Sequence, residues 1–461
     1  MFYSRRRRFK MMIQKVPDSY EKLQALGGMA TDDVLSTPSK TRATYQDNGP
    51  YSDPKKNPLP GVYKASMPNG KTISLMRVMF TDFCKMDCFY CPNSHWVPRK
   101  RFAFKVEELA KTFMYMHSRH TVDGLFLSSG IAGDGSKTTE KLVKVVDMLR
   151  NTYNFKGYVH MKVMPGTNEH LVEAAHRLGT RLSVNIETPS PEHMKKISTM
   201  KNMEKDILAP MSWVHKLTKT TSGGAVGQAT QMVVGAADET DADIFRRMDQ
   251  LYTDWQLKRI YFVAFRPTRY TPLEEHPGAS LAREHRLYQV DWLKRVYQFS
   301  NEELKLAFDK GGFLPETEDP KASIALSNLD AFPMDINAAT KADLLRIPGV
   351  GPTSAERILN QRRQHKIATW RDLEAMGVVR KRAWPFVTFP GHKPPQAKQL
   401  RMDLFEARER RMFAPVALPA AGRGAAPCGE VRSCTGCPMF GAPGHPGSAG
   451  VPMPVQDAKA A

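Results

Sequence analysis

Apolar and polar positions alternate through the middle of the chain as short apolar runs separated by longer amphipathic stretches. Strand-like runs stand at residues 73–80, 124–128, 158–163, 182–186, 231–235 and 259–265. Between them, apolar residues recur at helical spacing over 106–116, 140–152, 168–178, 203–217 and 241–255. The first period matches a strand and the second a helix. Repeated strand–helix units predict a parallel sheet with right-handed crossovers, and six of them fit an open α/β barrel, a partial (β/α)6 architecture. Such barrels place their ligands at the C-terminal ends of the strands. Residues 283–299 continue with helical spacing and predict a helix capping the barrel.

The ends read differently. Residues 1–70 are polar and weakly periodic, a basic N-terminal extension with a short helix expected at 20–26. The barrel with its capping helix is expected over 71–309, a linker over 310–332 and a small all-α module over 333–392. Residues 393–461 hold one more predicted helix, at 402–411. They then turn Pro-, Gly- and Ala-rich, the composition of a disordered tail.

Charge narrows the partners. The 461 residues carry a formal net charge of +20, which points to a polyanion, and to nucleic acid before membrane. No apolar run reaches about 18 residues, so no transmembrane helix is expected. The basic start, Met1 to Arg8, lacks the apolar core of a secretory signal. The six cysteines fall into two tight groups of three, which argues for metal in a reducing cytosol over disulfides. A cytoplasmic location follows as the expectation.

The first group, Cys84-x3-Cys88-x2-Cys91, directly follows the first apolar run. Three thiols on a short loop can face one point, yet a structural zinc site usually closes with four ligands. Iron–sulfur clusters are held by thiolates, and three of them leave one iron of a cubane open to a small molecule. With His95 as a fourth ligand, a zinc knuckle is the alternative. Other strand ends are polar as well. Ser128, Ser129 and Gly130 form a turn after the second run, and Ser183, Asn185 and Glu187 alternate onto one face of the fourth. His160 and Lys162 share a face of the third, Gly235 closes the fifth, and Arg266 stands at the end of the sixth.

In the C-terminal module, residues 335–358 read as helix, tight Gly349-Val350-Gly351 turn and helix. Thr340 can cap the first helix, and Pro352 suits the first turn of the second. The turn aims backbone N–H groups and a helix N-terminus at an anion. A fainter second copy covers 370–384 and contains Arg380, Lys381 and Arg382. Residues 335–400 hold twelve Lys and Arg, Arg357 among them, against five Asp and Glu. The second cysteine group, Cys428, Cys434 and Cys437, lies in the tail, where it could hold an auxiliary cluster or, with His445, a zinc.

The cysteine spacing, with Tyr90 directly before the third thiol, resembles the radical S-adenosylmethionine (SAM) superfamily. That resemblance implies a [4Fe-4S] cluster on Cys84, Cys88 and Cys91 whose open iron chelates SAM, and reductive cleavage to a 5′-deoxyadenosyl radical. It implies SAM contacts from Tyr90, Ser128, Ser129, Gly130, Asn185, Glu187 and Gly235, and an electron donor such as flavodoxin or ferredoxin. Residues 335–358 resemble the helix-hairpin-helix motif, which grips the DNA backbone; this implies contacts from Gly349, Val350, Gly351, Arg357, Arg380, Lys381 and Arg382. Across residues 73–390 the chain is similar to radical SAM proteins assigned to DNA modification or repair that end in such a domain. The matching stretches are 84–91, 124–130, 182–187, 231–240, 283–292 and the hairpin. The expected function is SAM-dependent radical chemistry on a DNA base or sugar. The alternatives are the same chemistry on RNA, or a non-catalytic iron–sulfur protein that binds DNA or senses redox state.

Overall fold

A computed structural model of the protein describes residues 18–29, 61–66 and 72–394. Two compact units divide between residues 320 and 321. The first is built on a seven-stranded sheet in the order β1 (Val62–Ser66), β2 (Thr72–Met79), β3 (Gly124–Ser128), β4 (Val159–Lys162), β5 (Arg181–Ser183), β6 (Gln228–Val234) and β7 (Arg259–Ala264). From β2 to β7 every neighbouring pair is parallel and follows chain order. Strands covered on both faces read as near-continuous apolar runs, and all five residues of β3 are buried. The fold is an open α/β half-barrel of parallel strands.

The helical crossovers stand where the spacing places them, with local differences. The predicted 140–152 helix begins earlier, at Gly135, because Asp134 caps it by accepting the Lys137 N–H; it ends in a π-turn over Met148–Thr152. The predicted 203–217 helix divides into a π-turn, Met203–Leu208, and an α-helix, Ala209–Thr220. Pro210 explains the division, since a residue without an N–H belongs at the start of a helix. The short helix Pro191–Ile197, capped by Ser190, is two turns long and leaves no readable period.

β5 ends at Ser183, short of the run predicted to 186. The side chain of Thr230 enters the ladder there: its hydroxyl accepts the Ile186 N–H at 2.9 Å and donates to the Val184 carbonyl at 2.7 Å. Pairing resumes at an isolated bridge between Glu187 and Met232. Glu187 itself lies at φ +66°, in the left-handed region that non-glycine residues seldom occupy.

Before residue 70, the stretch read as loop contains β1. This five-residue edge strand lacks the apolar run that marks the others. The helix Ser19–Met29 packs on the barrel through Leu23 and Leu26, and Lys22 pairs with Glu108 at 2.7 Å. After β7, the helix Leu281–Arg295 lies against the sheet. Its Tyr288 hydroxyl donates to the Phe262 carbonyl, and its Glu284 accepts the Ala264 N–H.

The second unit contains two helical hairpins. Lys341–Arg346 and Pro352–Gln361 form the first, Trp370–Ala375 and Arg380–Ala383 the second. The leading helix of each carries the same capping box, Thr340 with Asp343 and Thr369 with Asp372. A two-residue parallel pairing of β8 (Met334–Asp335) with β9 (Val387–Thr388) joins the ends.

Candidate active site

The loop after β2 carries Cys84, Cys88 and Cys91 and is pinched at its base by a bridge between Thr81 and Ala103. Two groups set its path. Asp82 accepts the Phe102 N–H at 2.6 Å and pairs with Arg99 at 3.0 Å. Arg101 donates to the carbonyls of Asp82, Asn93, Ser94 and Val97. A planar guanidinium with five donors can thus order a loop that has no ladder of its own.

Cys88 is buried, Cys84 and Cys91 are half-buried, and all three are free thiols. The Cys91 sulfur accepts the Asn93 N–H at 3.4 Å. Burial, then the neighbouring Cys88 and Cys84, push the Cys91 thiol well above its ordinary value. Burial likewise raises Cys88, while the ammonium of Lys201 acts in the opposite sense. Gly130 presses on this loop. Its N–H donates to the Thr81 carbonyl, and a Cβ there would stand 2.5 Å from the Phe83 oxygen and 3.3 Å from Cys84 Cβ. Ser128 and Ser129 are buried beside it, the Ser129 hydroxyl donating to the Gly130 carbonyl.

Beyond the end of β5, Asn185 and Glu187 are buried. Glu187 is met by a residue absent from the sequence reading. Lys201 reaches in from the loop after Pro191–Ile197, with Nζ 3.4 Å from Glu187 Oε1 and 3.5 Å from the Tyr90 hydroxyl. Its side chain is only 5% exposed. Burial opposes this ammonium, yet Cys88, Glu187 and Cys91 together hold its pKa well above the ordinary lysine value. Burial, then Glu187, raises the Tyr90 phenol. Thus Tyr90, Glu187, Lys201 and the thiols form one electrostatic unit.

A second residue outside the sequence reading is Asp87. From the cysteine loop it accepts from the Ser198 hydroxyl and from the Thr199 N–H and hydroxyl at 2.7 and 2.6 Å. Burial works against this carboxylate, but those bonds hold its pKa below the usual range. Ser198 in turn accepts the Lys201 N–H at 3.2 Å. Neither Asp87 nor Lys201 announces itself in sequence; each lies in a polar loop whose closure is tertiary.

Other expected residues have different surroundings. His95 is exposed, with its ring on Trp96 and Nδ1 3.2 Å from the Met86 carbonyl. His160 is buried edge-on to Phe126, with Nε2 2.9 Å from the Ser183 hydroxyl, and burial lowers its pKa well below the ordinary value. At Gly235, φ is +84° and a Cβ would meet Ala279 at 2.8 Å and Arg283 at 3.0 Å. The positive φ and the close approach of Ala279 and Arg283 both call for a glycine there. Cys428, Cys434, Cys437, His445, Arg5–Arg8 and the predicted 402–411 helix lie outside the described residues.

In the second unit the two hairpin turns are joined. The Val379 N–H donates to the Gly349 carbonyl at 3.0 Å, and a Cβ on Gly349 would meet the Val379 oxygen at 2.7 Å and Arg382 Cβ at 3.0 Å. Arg357 lies beside the opposite turn, 3.7 Å from a Cβ placed on Gly377. Arg357, Arg380, Lys381 and Arg382 are all exposed. Val350 departs from the expectation: it is 1% exposed and its N–H is engaged by the Ile347 carbonyl, so it packs the hairpin inward.

The α/β half-barrel thus presents three free cysteines on the loop at the C-terminal end of β2. Residues 78–244 match the radical SAM superfamily and residues 335–360 the helix-hairpin-helix motif, so the chain carries both. No curated protein matches it. Among solved structures, methylornithine synthase (PylB) is similar at 14% identity and TM-score 0.39, over 47% of this chain and 60% of that one. The radical SAM methyltransferase TsrM from Kitasatospora setae, with cobalamin and a [4Fe-4S] cluster bound, is 9% identical at TM-score 0.34, over 62% and 60%. HemN, the coproporphyrinogen III oxidase from Escherichia coli, is 10% identical at TM-score 0.30, over 56% and 57%.

The radical SAM family uses a [4Fe-4S] cluster and SAM. The residues present fit the cluster. Among the described residues, no three His, Cys, Asp or Glu side chains gather closely enough for a single metal ion. A cubane instead takes one thiolate on each of three irons. Three free thiols on one loop are ligands of that kind, and the Cys91 sulfur also accepts an N–H.

Proposed function

We propose that this protein is a radical SAM enzyme whose substrate is DNA, modifying or repairing a base or sugar. One observation carries the reading: a thiol-lined barrel mouth and paired basic hairpins occur in one chain. Cys84, Cys88 and Cys91 would hold the cluster. When bound and reduced, it supplies the electron that cleaves SAM and so provides a carbon radical able to take hydrogen from a substrate. Gly130 and the buried Ser128 and Ser129 shape the wall beside Cys84, while Asn185, Glu187, Tyr90 and Lys201 offer donors and acceptors for a zwitterionic amino acid group. Enclosing these polar groups limits water and stray hydrogen donors.

The hairpins would contribute sequence-independent affinity for phosphates through Gly349, Gly351, Arg357, Arg380, Lys381 and Arg382. Phe83, Trp96 and Tyr270 are exposed aromatics in the cysteine loop and in the turn that bonds to Tyr90. Aromatic faces of this kind suit stacking by an unpaired or flipped base. The electron would come from a low-potential protein donor of the flavodoxin or ferredoxin class.

The test is anaerobic cluster reconstitution, reduction with SAM, and assay of 5′-deoxyadenosine without nucleic acid, with DNA and with RNA. Formation that requires all three thiols and rises with DNA is the expected result. A rise with RNA alone reassigns the substrate. A loaded cluster that cleaves no SAM under any condition replaces the enzyme reading with a non-catalytic sensor.

A further inference from the structure

The cysteine loop and the loop carrying Lys201 are bound to each other twice, once through Asp87 and once through Lys201 itself. Asp87, between two of the thiols, grips Ser198 and Thr199; Ser198 accepts the Lys201 N–H; and the Lys201 side chain returns to Tyr90 and Glu187 beside Cys88. The closed circuit delivers a cation, 5% exposed, to a site that holds three potential thiolates and the Glu187 carboxylate, with the Arg101 guanidinium acting on Cys84 and Cys91 from the cysteine loop. The Glu187 side chain is 7% exposed, so water screens the pair little.

We propose that Lys201 is a charge-compensating residue of the thiol site, that it favours the reduced form of the cluster held there, and that Asp87 positions it while Glu187 opposes it. This rests on the reading of Cys84, Cys88 and Cys91 as cluster ligands. The electron balance is simple. A low-potential one-electron donor gives one electron, the cluster takes it, and the site gains one negative charge with no proton or bond exchanged. A fixed cation at short range in a dry pocket stabilises that added charge; a fixed carboxylate destabilises it. A residue that merely packs would lack this sign dependence.

The experiment is an anaerobic redox titration of the reconstituted full-length protein, with dithionite as donor, followed by the electron paramagnetic resonance signal of the reduced cluster. Iron and sulfide content are measured in parallel. Lys201→Met is expected to leave the cluster about tenfold less reduced at a fixed solution potential, equivalent to about 59 mV for one electron. Lys201→Arg should remain close to wild type. Ser198→Ala, which breaks the link between Asp87 and the Lys201 N–H without changing any charge, should move in the same direction as Lys201→Met, by less. Glu187→Gln should move the other way, towards easier reduction, because it leaves the ammonium unneutralised. A packing role predicts no such opposition of sign.

If wild type assembles no cluster, the reading beneath the proposal fails. If it assembles and Lys201→Met titrates as wild type does, the proposal itself is overturned. Should Lys201→Met retain no iron, Glu187→Gln decides alone: a potential that does not rise overturns the proposal.

Discussion

Gly130 illustrates how one residue transmits the shape of the sheet to the thiols. No side chain fits there without moving the Phe83 carbonyl or Cys84, because the nearest of these atoms would lie 2.5 Å from a Cβ. Gly130→Ala is therefore expected to cost about 1–3 kcal/mol of stability and to reduce the iron retained after reconstitution. Gly133→Ala is the control, since a Cβ there meets only the end of Lys137, at 3.9 Å. Thermal melts and iron analysis on both variants check this; equal iron in the two would contradict it. At this scale the sequence is uneven as a guide. The thiols are legible because three cysteines at fixed spacing make a chemical statement by themselves. Asn185 and Glu187 are grouped in sequence by strand alternation, yet they lie beyond β5, where the Thr230 hydroxyl and the isolated Glu187–Met232 bridge set the backbone. Lys201 and Asp87 are not legible, since their roles arise only when two loops distant in sequence close on each other.

Elements follow the same logic. Parallel strands are buried on both faces, so their apolar runs stand out, and β2 to β7 can be read from the chain. β1 cannot, being a short edge strand with little to bury. The early end of β5 was equally hidden, because it depends on one hydroxyl from the next strand. Thr230→Val keeps the shape but removes both bonds of that hydroxyl, leaving a buried N–H and carbonyl unsatisfied. The expected loss is about 1–3 kcal/mol, measured by denaturant unfolding, and it should exceed that of Thr218→Val on an outer helix. The N-terminal helix adds a pH dependence. Burial disfavours the Glu108 carboxylate, but Lys22, the Lys105 N–H and Ser19 hold its pKa below the ordinary value. A depressed carboxylate contributes fully above the ordinary glutamate range, near pH 4.3, and its contribution fades as pH falls through the lower folded value. Glu108→Gln should therefore narrow its stability gap to wild type only in acid. A gap constant from pH 7 to pH 3 would exclude the ion pair as its source.

On the scale of the whole molecule, the excess of positive charge has a location as well as a size. A net charge of +20 spread evenly would attract any polyanion weakly, whereas the hairpin unit gathers Arg357, Arg380, Lys381 and Arg382 beside two linked turns. Each phosphate neutralised releases condensed counterions, so log affinity falls with log salt by about 0.9 per contact on duplex DNA and about 0.7 on single strands. Replacing all four residues by Ala should lower the steepness of that dependence by about 3–4 for a duplex. The loss should be the same for unrelated DNA sequences, because contacts to the backbone carry no base information. Removing Lys144, Lys216 and Arg246 from the outer helices of the barrel takes away comparable charge without touching the hairpins. That variant should keep the wild-type salt dependence. Fluorescence anisotropy across a salt series separates the two. If both variants lose slope alike, the chain binds DNA by diffuse charge, and the hairpins lose their claim to be its grip.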